Sequence, residues 1–344
     1  MKKVIVGMSG GVDSSVAAYL LIKQGYQVEG VHFTLKEGVG DLADAQKVCN
    51  SLGIKLYAVN FSQIFNDKVF QPFISEYEQG LTPNVCVECN KNVKFGALYN
   101  FAISQGADYV ATGHYASTEI INGRCFLKCP ADALKDQTYF LNQVSERALS
   151  QTLFPLSGLN KDQVRKIAEE NNLITAHKKG SSDICLMGDL TFREFLKPFV
   201  KPKKGKIIDL SGKVVGEHNG LFNFTLGQRK GLGLGGIAGE NGGRWFVVGK
   251  NVKTNCLIVS HGSEEELFSQ SLELLNCNWI GKTPVSGERV MVKTRYAQNP
   301  SPAIINFEKE KISVNFLEPQ RAITPGQYCV FYQNGYCLGG GKIV

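Results

Sequence analysis

The sequence predicts an α/β fold, a doubly wound parallel sheet, followed by a small β domain and a C-terminal β-barrel. Apolar strand-like runs alternate with amphipathic helical stretches through the first part of the 344-residue chain, and this alternation is typical of a parallel sheet covered by helices. Beyond the lysine-rich segment 201–206, short alternating runs are punctuated by glycine, which is typical of β domains. The length also favours two or three domains over a single core.

The elements of the predicted sheet domain follow one another as strand, helix and strand. A strand at 4–6 leads into a helix that includes 16–22, and Gly25 ends that helix. Further strands are predicted at 26–33, 55–60 and 107–112, with helices at 42–52, 62–78 and 90–105. Ligands of such sheets bind where the strands end, so the turn at 9–15 and the residues at 113–115 are expected to meet.

Three domains are predicted along the chain. Residues 1–204 contain the sheet and a mainly helical part at about 145–200, in which 161–171 is the clearest helix. The small β domain is placed at 205–265 and the barrel at 268–344. We expect the helical part and the two β domains to serve the binding of a large substrate.

The charge balance favours a polyanionic partner. The formal net charge is +7, with a local concentration at Lys201, Lys203, Lys204 and Lys206 that is also common in solvated linkers. No apolar run approaches membrane-spanning length and no signal peptide is recognisable, so a cytoplasmic protein without a membrane partner is expected. In that compartment the ten cysteines are expected to be reduced thiols rather than a disulfide framework.

The turn at 9–15, which reads Ser-Gly-Gly-Val-Asp-Ser-Ser, is predicted to hold phosphates. Two glycines let backbone N–H groups approach an anion, and the start of a helix adds unpaired donors and partial positive charge. The spacing is neither the Walker nor the dinucleotide pattern. Asp13 is interpreted as a carboxylate facing a magnesium ion on the phosphates. The alternative is an ordinary turn in which Asp13 or Ser14 caps the helix.

The cysteine spacing leaves several kinds of site open. Cys86 and Cys89 form a C-x-x-C pair, which occurs in zinc, iron–sulfur and redox sites. A zinc site with Cys125 and Cys129 is disfavoured, because these two residues alternate on one face of an apparent strand, as buried structural cysteines do.

Two thiols stand out as reactive candidates. The segment 80–84 is interpreted as a loop, and Cys89 follows it, just before a helix that is predicted to begin at Asn90. A thiol at the amino end of a helix has a lowered pKa and is a better nucleophile. Cys185 lies among polar loop residues. The sequence does not show whether the two thiols meet.

Several motifs in order resemble those of known enzymes. The turn at 9–15 resembles the PP-loop of the N-type ATP pyrophosphatases. Essentially the whole chain resembles the bacterial tRNA-specific 2-thiouridylases, through the segments 82–84, 89–91, 111–115, 135–141, 226–233, 293–296, 324–327 and 337–341. The resemblance implies ATP-dependent 2-thiolation of uridine at wobble position 34 of the tRNAs for Lys, Glu and Gln. In that reaction uracil O2 is adenylated, sulfur is transferred from a persulfide, and AMP is released.

The resemblance also implies roles for individual residues. Cys89 matches the nucleophile and Cys185 the persulfide carrier, and a disulfide between them would form during turnover. The implied ATP-binding residues are Gly7, Met8, Ser9, Gly10, Gly11, Val12, Asp13, Ser14, Phe33 and Gly113. The implied contacts to the target base and the tRNA are Asn84, Val85, Cys86, His114, Lys135, Asp136, Gln137, Arg295, Tyr296 and Gln327. ATP and Mg²⁺ are the expected cofactors. A tRNA and a persulfide sulfur-donor protein are the expected partners of a monomer.

This chain departs from the family at two positions, and these departures bear on the alternatives. Val85 stands where relatives commonly have proline, and Cys86 stands where some have aspartate. Cys86, Cys89 and Cys185 could together hold an iron–sulfur cluster that delivers sulfide, which we do not favour. Two other functions are considered: a PP-loop enzyme that installs nitrogen, which needs no paired thiols, and a tRNA-binding scaffold without catalysis.

Overall fold

The computed structural model describes residues 1–35, 42–178, 190–235, 243–308 and 311–344, and at 192 and 193 it describes the backbone. Within these ranges, no helix has both the length and the apolar character needed to cross a membrane. The predicted α/β fold with a parallel sheet, a small β domain and a terminal barrel is confirmed.

The helices of the described ranges lie almost entirely before residue 200. In chain order they are α1 (Val12–Lys23), α2 (Leu42–Leu52), α3 (Ser62–Phe65), α4 (Gln71–Glu78), α5 (Val85–Cys89), α6 (Leu98–Ser104), α7 (Thr138–Leu141), α8 (Glu146–Ser150), α9 (Lys161–Glu170) and α10 (Phe192–Leu196). A π-helical segment, Asn66–Phe70, joins α3 to α4, and another, Asn90–Ala97, joins α5 to α6. The predicted helix at 62–78 is therefore one continuous helix.

The strands begin in the sheet domain and dominate the second half of the chain. They are β1 (Lys3–Gly7), β2 (Gln27–Thr34), β3 (Leu56–Asn60), β4 (Tyr109–Ala111), β5 (Ser117–Ile121), β6 (Arg124–Lys128), β7 (Thr152–Leu153), β8 (Gly205–Ile208), β9 (Val214–His218), β10 (Trp245–Asn251), β11 (Cys256–His261), β12 (Phe268–Trp279), β13 (Arg289–Lys293), β14 (Ser301–Glu308), β15 (Lys311–Arg321), β16 (Tyr328–Gln333) and β17 (Tyr336–Ile343).

The first sheet is parallel, with the strand order β3-β2-β1-β4-β7. Its middle strand, β1, carries Val4, Ile5 and Val6, which are fully buried because both faces of the sheet are covered. The turn that follows β1 therefore emerges at the centre of the sheet's carboxyl edge, between the ends of β2 and β4.

The two β domains have different architectures. The central sheet has the order β10-β11-β8-β9, in which β11 and β8 run parallel and the other neighbours antiparallel. The last domain is a barrel of the strands β12, β15, β14, β13, β16 and β17, and antiparallel pairing of β12 with β17 closes it. Closure leaves no open edge among these six strands.

A hairpin of the first domain extends the barrel sheet. Strands β5 and β6 pair with each other, and β6 pairs with β17 through Leu127 opposite Cys337. Leu127 and Cys125 share an apolar core with Tyr328 and Val330 of the barrel. Burial raises the pKa of Cys125 to about 11, in agreement with its interpretation as a structural thiol. No pattern in the sequence predicts this junction, which joins the sheet domain to the barrel through a common core.

Candidate active site

The predicted phosphate turn forms a tight loop between β1 and α1. Gly10 has φ +75°, a left-handed conformation that favours glycine. Ser9 Oγ accepts the Gly11 N–H at 3.3 Å, and the hydroxyls of Ser14 and Ser15 donate to the Gly11 carbonyl at 3.1 and 2.9 Å. Gly11 is the N-cap of α1, and no side chain caps it. The first N–H groups of α1 are thus not capped by Asp13 or Ser14, unlike in the alternative interpretation.

The segment after β4 packs directly against this loop. A Cβ added to Gly113 would lie 2.8 Å from the Asp13 carbonyl carbon and 2.9 Å from the Ser14 nitrogen. Only glycine permits so close an approach of two backbones. Gly113 and the turn at 9–15, which were predicted to meet at the sheet edge, are brought together.

Asp13 is held by two side chains from distant parts of the chain. The Tyr115 hydroxyl donates to Asp13 Oδ1 at 3.0 Å, and the Lys161 ammonium donates to the same oxygen at 2.5 Å. Lys161 was not predicted: it is the first residue of α9, 148 positions from Asp13. The Asp13 side chain is about one-third exposed (34%), and a carboxylate oxygen is a ligand that Mg²⁺ prefers. The magnesium role of Asp13 remains a prediction.

Strand β2 supports the loop from below. The Met8 N–H donates to the Val31 carbonyl at 2.8 Å, and His32 Nδ1 lies 2.9 Å from the Met8 carbonyl oxygen. A carbonyl only accepts, so Nδ1 is assigned the proton. Phe33, at the end of the same strand, packs against Phe61 with 5.9 Å between ring centroids. This half-buried ring is the predicted neighbour of adenine, a role that stays a prediction.

Cys89 lies inside a helix rather than before one. Helix α5 begins at Val85, and Asn84 caps it by accepting the Val87 N–H at 3.3 Å. The expectation that the helix begins at Asn90 was wrong, because Asn84, interpreted as part of a loop, supplies the cap. Cys89 is therefore in the second turn, 5% exposed in an apolar cluster, and the argument from a helix amino end does not apply to it.

The second thiol lies outside the described residues. Cys185 falls in the segment 179–189, so its distance from Cys89 stays untested. In the ranges that the structure describes, no group of three His, Cys, Asp or Glu side chains could hold a metal ion. Val85 is buried and Cys86 half-buried, both on the first turn of α5.

His114 is an uncharged imidazole near the loop. It is buried, its Nδ1 lies 2.9 Å from Thr112 Oγ1, and its ring packs 5.6 Å from that of Phe95. Burial, and then the positive charge of Lys94, lower its pKa well below the usual value. The side chain is thus neutral near pH 7.

The residues at 135–137 were predicted to contact tRNA. They differ in whether the side chain is exposed or makes hydrogen bonds within the protein. Lys135 is exposed. Asp136 Oδ1 accepts from the Thr138 N–H at 2.9 Å, and Gln137 Oε1 accepts from the Tyr115 N–H at 2.9 Å. Gln137 therefore helps to place Tyr115 beside Asp13.

The predicted tRNA residues of the barrel also make internal contacts. Arg295 Nη2 donates to the carbonyls of Leu226 and Ala322 at 3.2 and 2.9 Å, which ties the central domain to the barrel. The Tyr296 ring packs against that of Phe140, with centroids 4.5 Å apart. Both residues thus make contacts within the protein in addition to their predicted contact to tRNA.

Gln327 reaches the loop before Cys89. Its Nε2 donates to the Thr82 carbonyl at 2.8 Å, and its Oε1 accepts from Asn84 Nδ2 at 3.4 Å. The barrel thereby contacts the segment that was predicted to face the target base.

A parallel sheet with a glycine-serine loop after its central strand defines a nucleotide-binding α/β protein, here with two β domains attached. Residues 2–189 match the family described as the tRNA methyl transferase HUP domain, 193–261 its PRC-barrel domain, and 269–343 the aminomethyltransferase beta-barrel domain.

Two curated relatives resemble the chain over nearly its whole length. The tRNA-specific 2-thiouridylase MnmA of Salmonella paratyphi B is 48% identical, covering 99% of this chain and 96% of the relative. The enzyme of the same name from Klebsiella pneumoniae subsp. pneumoniae is 47% identical with the same coverage. The chain belongs to the tRNA-specific 2-thiouridylase family.

Proposed function

We propose that this chain is an ATP-dependent tRNA-uridine 2-sulfurtransferase that converts uridine to 2-thiouridine at wobble position 34 of the tRNAs for Lys, Glu and Gln. The observation that carries the proposal is the 48% identity over 99% of the chain to relatives named for this activity. The loop at 9–15, with Gly113 packed against it, supports the ATP part, because it offers backbone donors at the start of a helix.

The chemistry requires ATP because the carbonyl oxygen of uracil is a poor leaving group. In the proposed first step, uracil O2 attacks the α-phosphate, so that an O–P bond forms and pyrophosphate leaves. The loop at 9–15 holds the phosphates through backbone N–H groups. Mg²⁺, when held by Asp13 on the phosphates, would neutralise charge on the departing pyrophosphate.

Lys161 extends this set of groups. The Lys161 side chain is about one-fifth exposed (20%), and its ammonium lies at the loop through the ion pair with Asp13. A second positive charge beside the phosphates stabilises the negative charge that develops on the leaving group. We assign Lys161 to the pyrophosphate side of the site, while Phe33 and Gly113 serve the nucleoside side.

In the proposed second step, sulfur replaces the activated oxygen. Cys89 attacks the Cys185 sulfur of a persulfide, which forms the Cys89–Cys185 disulfide and releases hydrosulfide; hydrosulfide adds to C2, and AMP leaves with the former O2. Direct attack of the terminal persulfide sulfur on C2, followed by Cys89 closing the disulfide, has the same balance. A dithiol reductant then restores both thiols, and a sulfur-donor protein reloads Cys185.

The anticodon base must leave its stack to reach this site. Asn84, Val85, Cys86 and His114 are proposed to receive the base, and the neutral imidazole of His114 offers hydrogen bonding without charge. Positive charge supports binding of the tRNA backbone, with Lys135 exposed on the sheet domain and the exposed lysines 201, 203 and 204 before the central domain.

Nucleoside analysis of tRNA from cells that lack this protein tests the proposal. We expect 2-thiouridine to disappear from the three tRNAs and to return with the intact gene. Unchanged 2-thiouridine would refute the assignment, and mass spectrometry separates sulfur replacement from methylation.

The alternatives have their own signatures. Product formation that survives Cys89→Ser and Cys185→Ser would favour a nitrogen-installing enzyme, and absence of AMP release would favour a scaffold. Iron bound after anaerobic purification would favour the cluster mechanism.

A further inference from the structure

The segment 80–84, which we call the strap, connects the end of α4 to the helix that carries Cys89. Both β domains hold it. Lys250 of the central domain donates from Nζ to the Gly80 carbonyl at 3.0 Å, and the Pro325 carbonyl of the barrel accepts the Thr82 N–H at 3.0 Å. The strap is therefore fixed from outside its own domain.

Two glycines at these contacts are packed too closely against the neighbouring segment to carry a side chain without a shift. A Cβ on Gly80 would lie 2.6 Å from Val252 Cγ2, and a Cβ on Gly326 would lie 2.9 Å from the Thr82 nitrogen. Both glycines have positive φ, +79° and +92°, which side chains rarely adopt. Burial lowers the pKa of Lys250 to about 8, so this lysine is desolvated at the contact, unlike a surface lysine.

The hydrogen-bond directions at the strap form a relay. The Thr82 carbonyl can only accept, so the amide nitrogen of Gln327 must face it, at 2.8 Å. Gln327 Oε1 then faces Asn84 Nδ2 at 3.4 Å, which leaves Asn84 Oδ1 towards the Val87 N–H at 3.3 Å. Each amide orients the next, from the barrel to the N-cap of α5.

We propose that Gln327 is a positioning residue, which orients the Asn84 cap and thereby places the helix that carries Cys86 and Cys89. Lys250 fixes the start of the same strap. This inference rests on the proposed function for its catalytic consequence, but it gives Gln327 a task other than the predicted contact to tRNA. The β domains that would grip the RNA and the helix that would supply sulfur chemistry are thus tied together.

Alkylation of Cys89 without substrates tests the relay directly. Gln327→Met keeps the length of the side chain and removes both polar atoms, and Lys250→Met removes the other anchor. The rate at which iodoacetamide modifies Cys89 is followed by peptide mass spectrometry. We expect this rate to be about fivefold higher in Gln327→Met, which is the change that loss of one N-cap typically gives. Lys250→Met should also accelerate it. Gln333→Met, at the end of β16 and bonded to Glu288, is the matched control and should not change the rate.

A second variant isolates the path through Asn84. Asn84→Asp has two equivalent acceptors and no donor for Gln327 Oε1, so its cap no longer depends on orientation by Gln327. In that background Gln327→Met should change the alkylation rate by less than about twofold, a non-additivity expected for directly coupled residues. Equal effects of Gln327→Met in both backgrounds would refute the relay.

Steady-state kinetics separates positioning from RNA contact. Gln327→Met should lower kcat for 2-thiouridine formation about tenfold and leave KM for tRNA unchanged, as expected when an interaction outside substrate binding is lost. A raised KM with unchanged kcat and unchanged alkylation would overturn the proposal. The alkylation result stands even if the wild-type protein makes no 2-thiouridine, so failure of the proposed function is distinguishable.

Discussion

The phosphate loop and the strap are both turns that lead into a helix, yet they are built differently. The bonds of Ser9, Gly11, Ser14 and Ser15 join residues at most five positions apart. The side-chain bonds of the strap to Gln327 span 243 and 245 positions. The loop is held by contacts within the sheet domain, whereas the strap is also held by contacts with both β domains. Nucleotide binding and sulfur chemistry should therefore respond to different mutations.

The largest expected effect is loss of 2-thiouridine formation without loss of ATP binding, in variants of the two thiols. Cys89→Ser and Cys185→Ser should each lower 2-thiouridine formation at least about 1000-fold, because the nucleophile or the sulfur carrier is lost. ATP affinity, measured by calorimetry, should stay at the wild-type value, since the phosphate loop is built separately. Substantial 2-thiouridine formation by either variant would contradict the roles proposed for the two thiols.

The opposite effect is expected at Gly113, which packs against the phosphate loop: ATP binding should weaken while Cys89 is unaffected. Gly113→Ala places a Cβ within 3 Å of the Asp13 and Ser14 backbone, so ATP affinity should fall at least about tenfold. The alkylation rate of Cys89 should not change. Gly158→Ala, where nothing lies within 4 Å of the added Cβ, is the matched control. Equal ATP binding by both variants would contradict the proposed approach of Gly113 to the nucleotide.

Lys161 contacts the phosphate loop from a distant part of the chain, through its ion pair with Asp13. Lys161→Met should lower the rate of AMP formation about tenfold, because a positive charge beside the pyrophosphate is removed. Lys166→Met, on the same helix and paired loosely with Glu170 at 3.7 Å, should leave the rate unchanged. Radiolabelled ATP and thin-layer chromatography measure both. Identical rates for the two variants would remove Lys161 from the mechanism.

The smallest expected effect is a change in Tm, from a variant at the hairpin that joins the sheet domain to the barrel. Arg124 holds Glu146 by two nitrogens and keeps the pKa of this carboxyl low, at about 2. A lowered pKa stabilises the fold above the usual value of 4.5, and this stabilisation is lost as pH falls towards 2. Glu146→Gln should lower Tm by about 2 °C at pH 7, since the side chain of its partner Arg124 is 57% exposed and solvent screens the pair.

The pH series supplies the control for that prediction. The difference in Tm between the wild type and Glu146→Gln should stay constant above pH 4.5 and shrink below it. Glu170→Gln, which alters an exposed pair, should change Tm little at any pH. A difference that grows on acidification would contradict the assigned pKa.

Local patterns in the sequence were sufficient for the strands β1 to β4 and for the loop at 9–15, because strand periodicity and paired glycines act over a few residues. The two-residue strand β7, which lies in the part predicted to be mainly helical, was missed. The start of α5 was missed, since the cap at Asn84 was interpreted as part of a loop. The ion pair of Lys161 with Asp13 and the pairing of β6 with β17 were missed because the partners lie far apart along the chain, and no spacing signals such contacts. The placement of Cys185 remains a prediction.

In the proposed mechanism, nucleotide activation and sulfur transfer are steps of one reaction. Anaerobic single turnover of the persulfide-loaded protein with unmodified tRNA and labelled ATP tests it most directly. AMP and 2-thiouridine should form in equal amounts, and neither should form when tRNA is omitted. Formation of 2-thiouridine without AMP would contradict this mechanism.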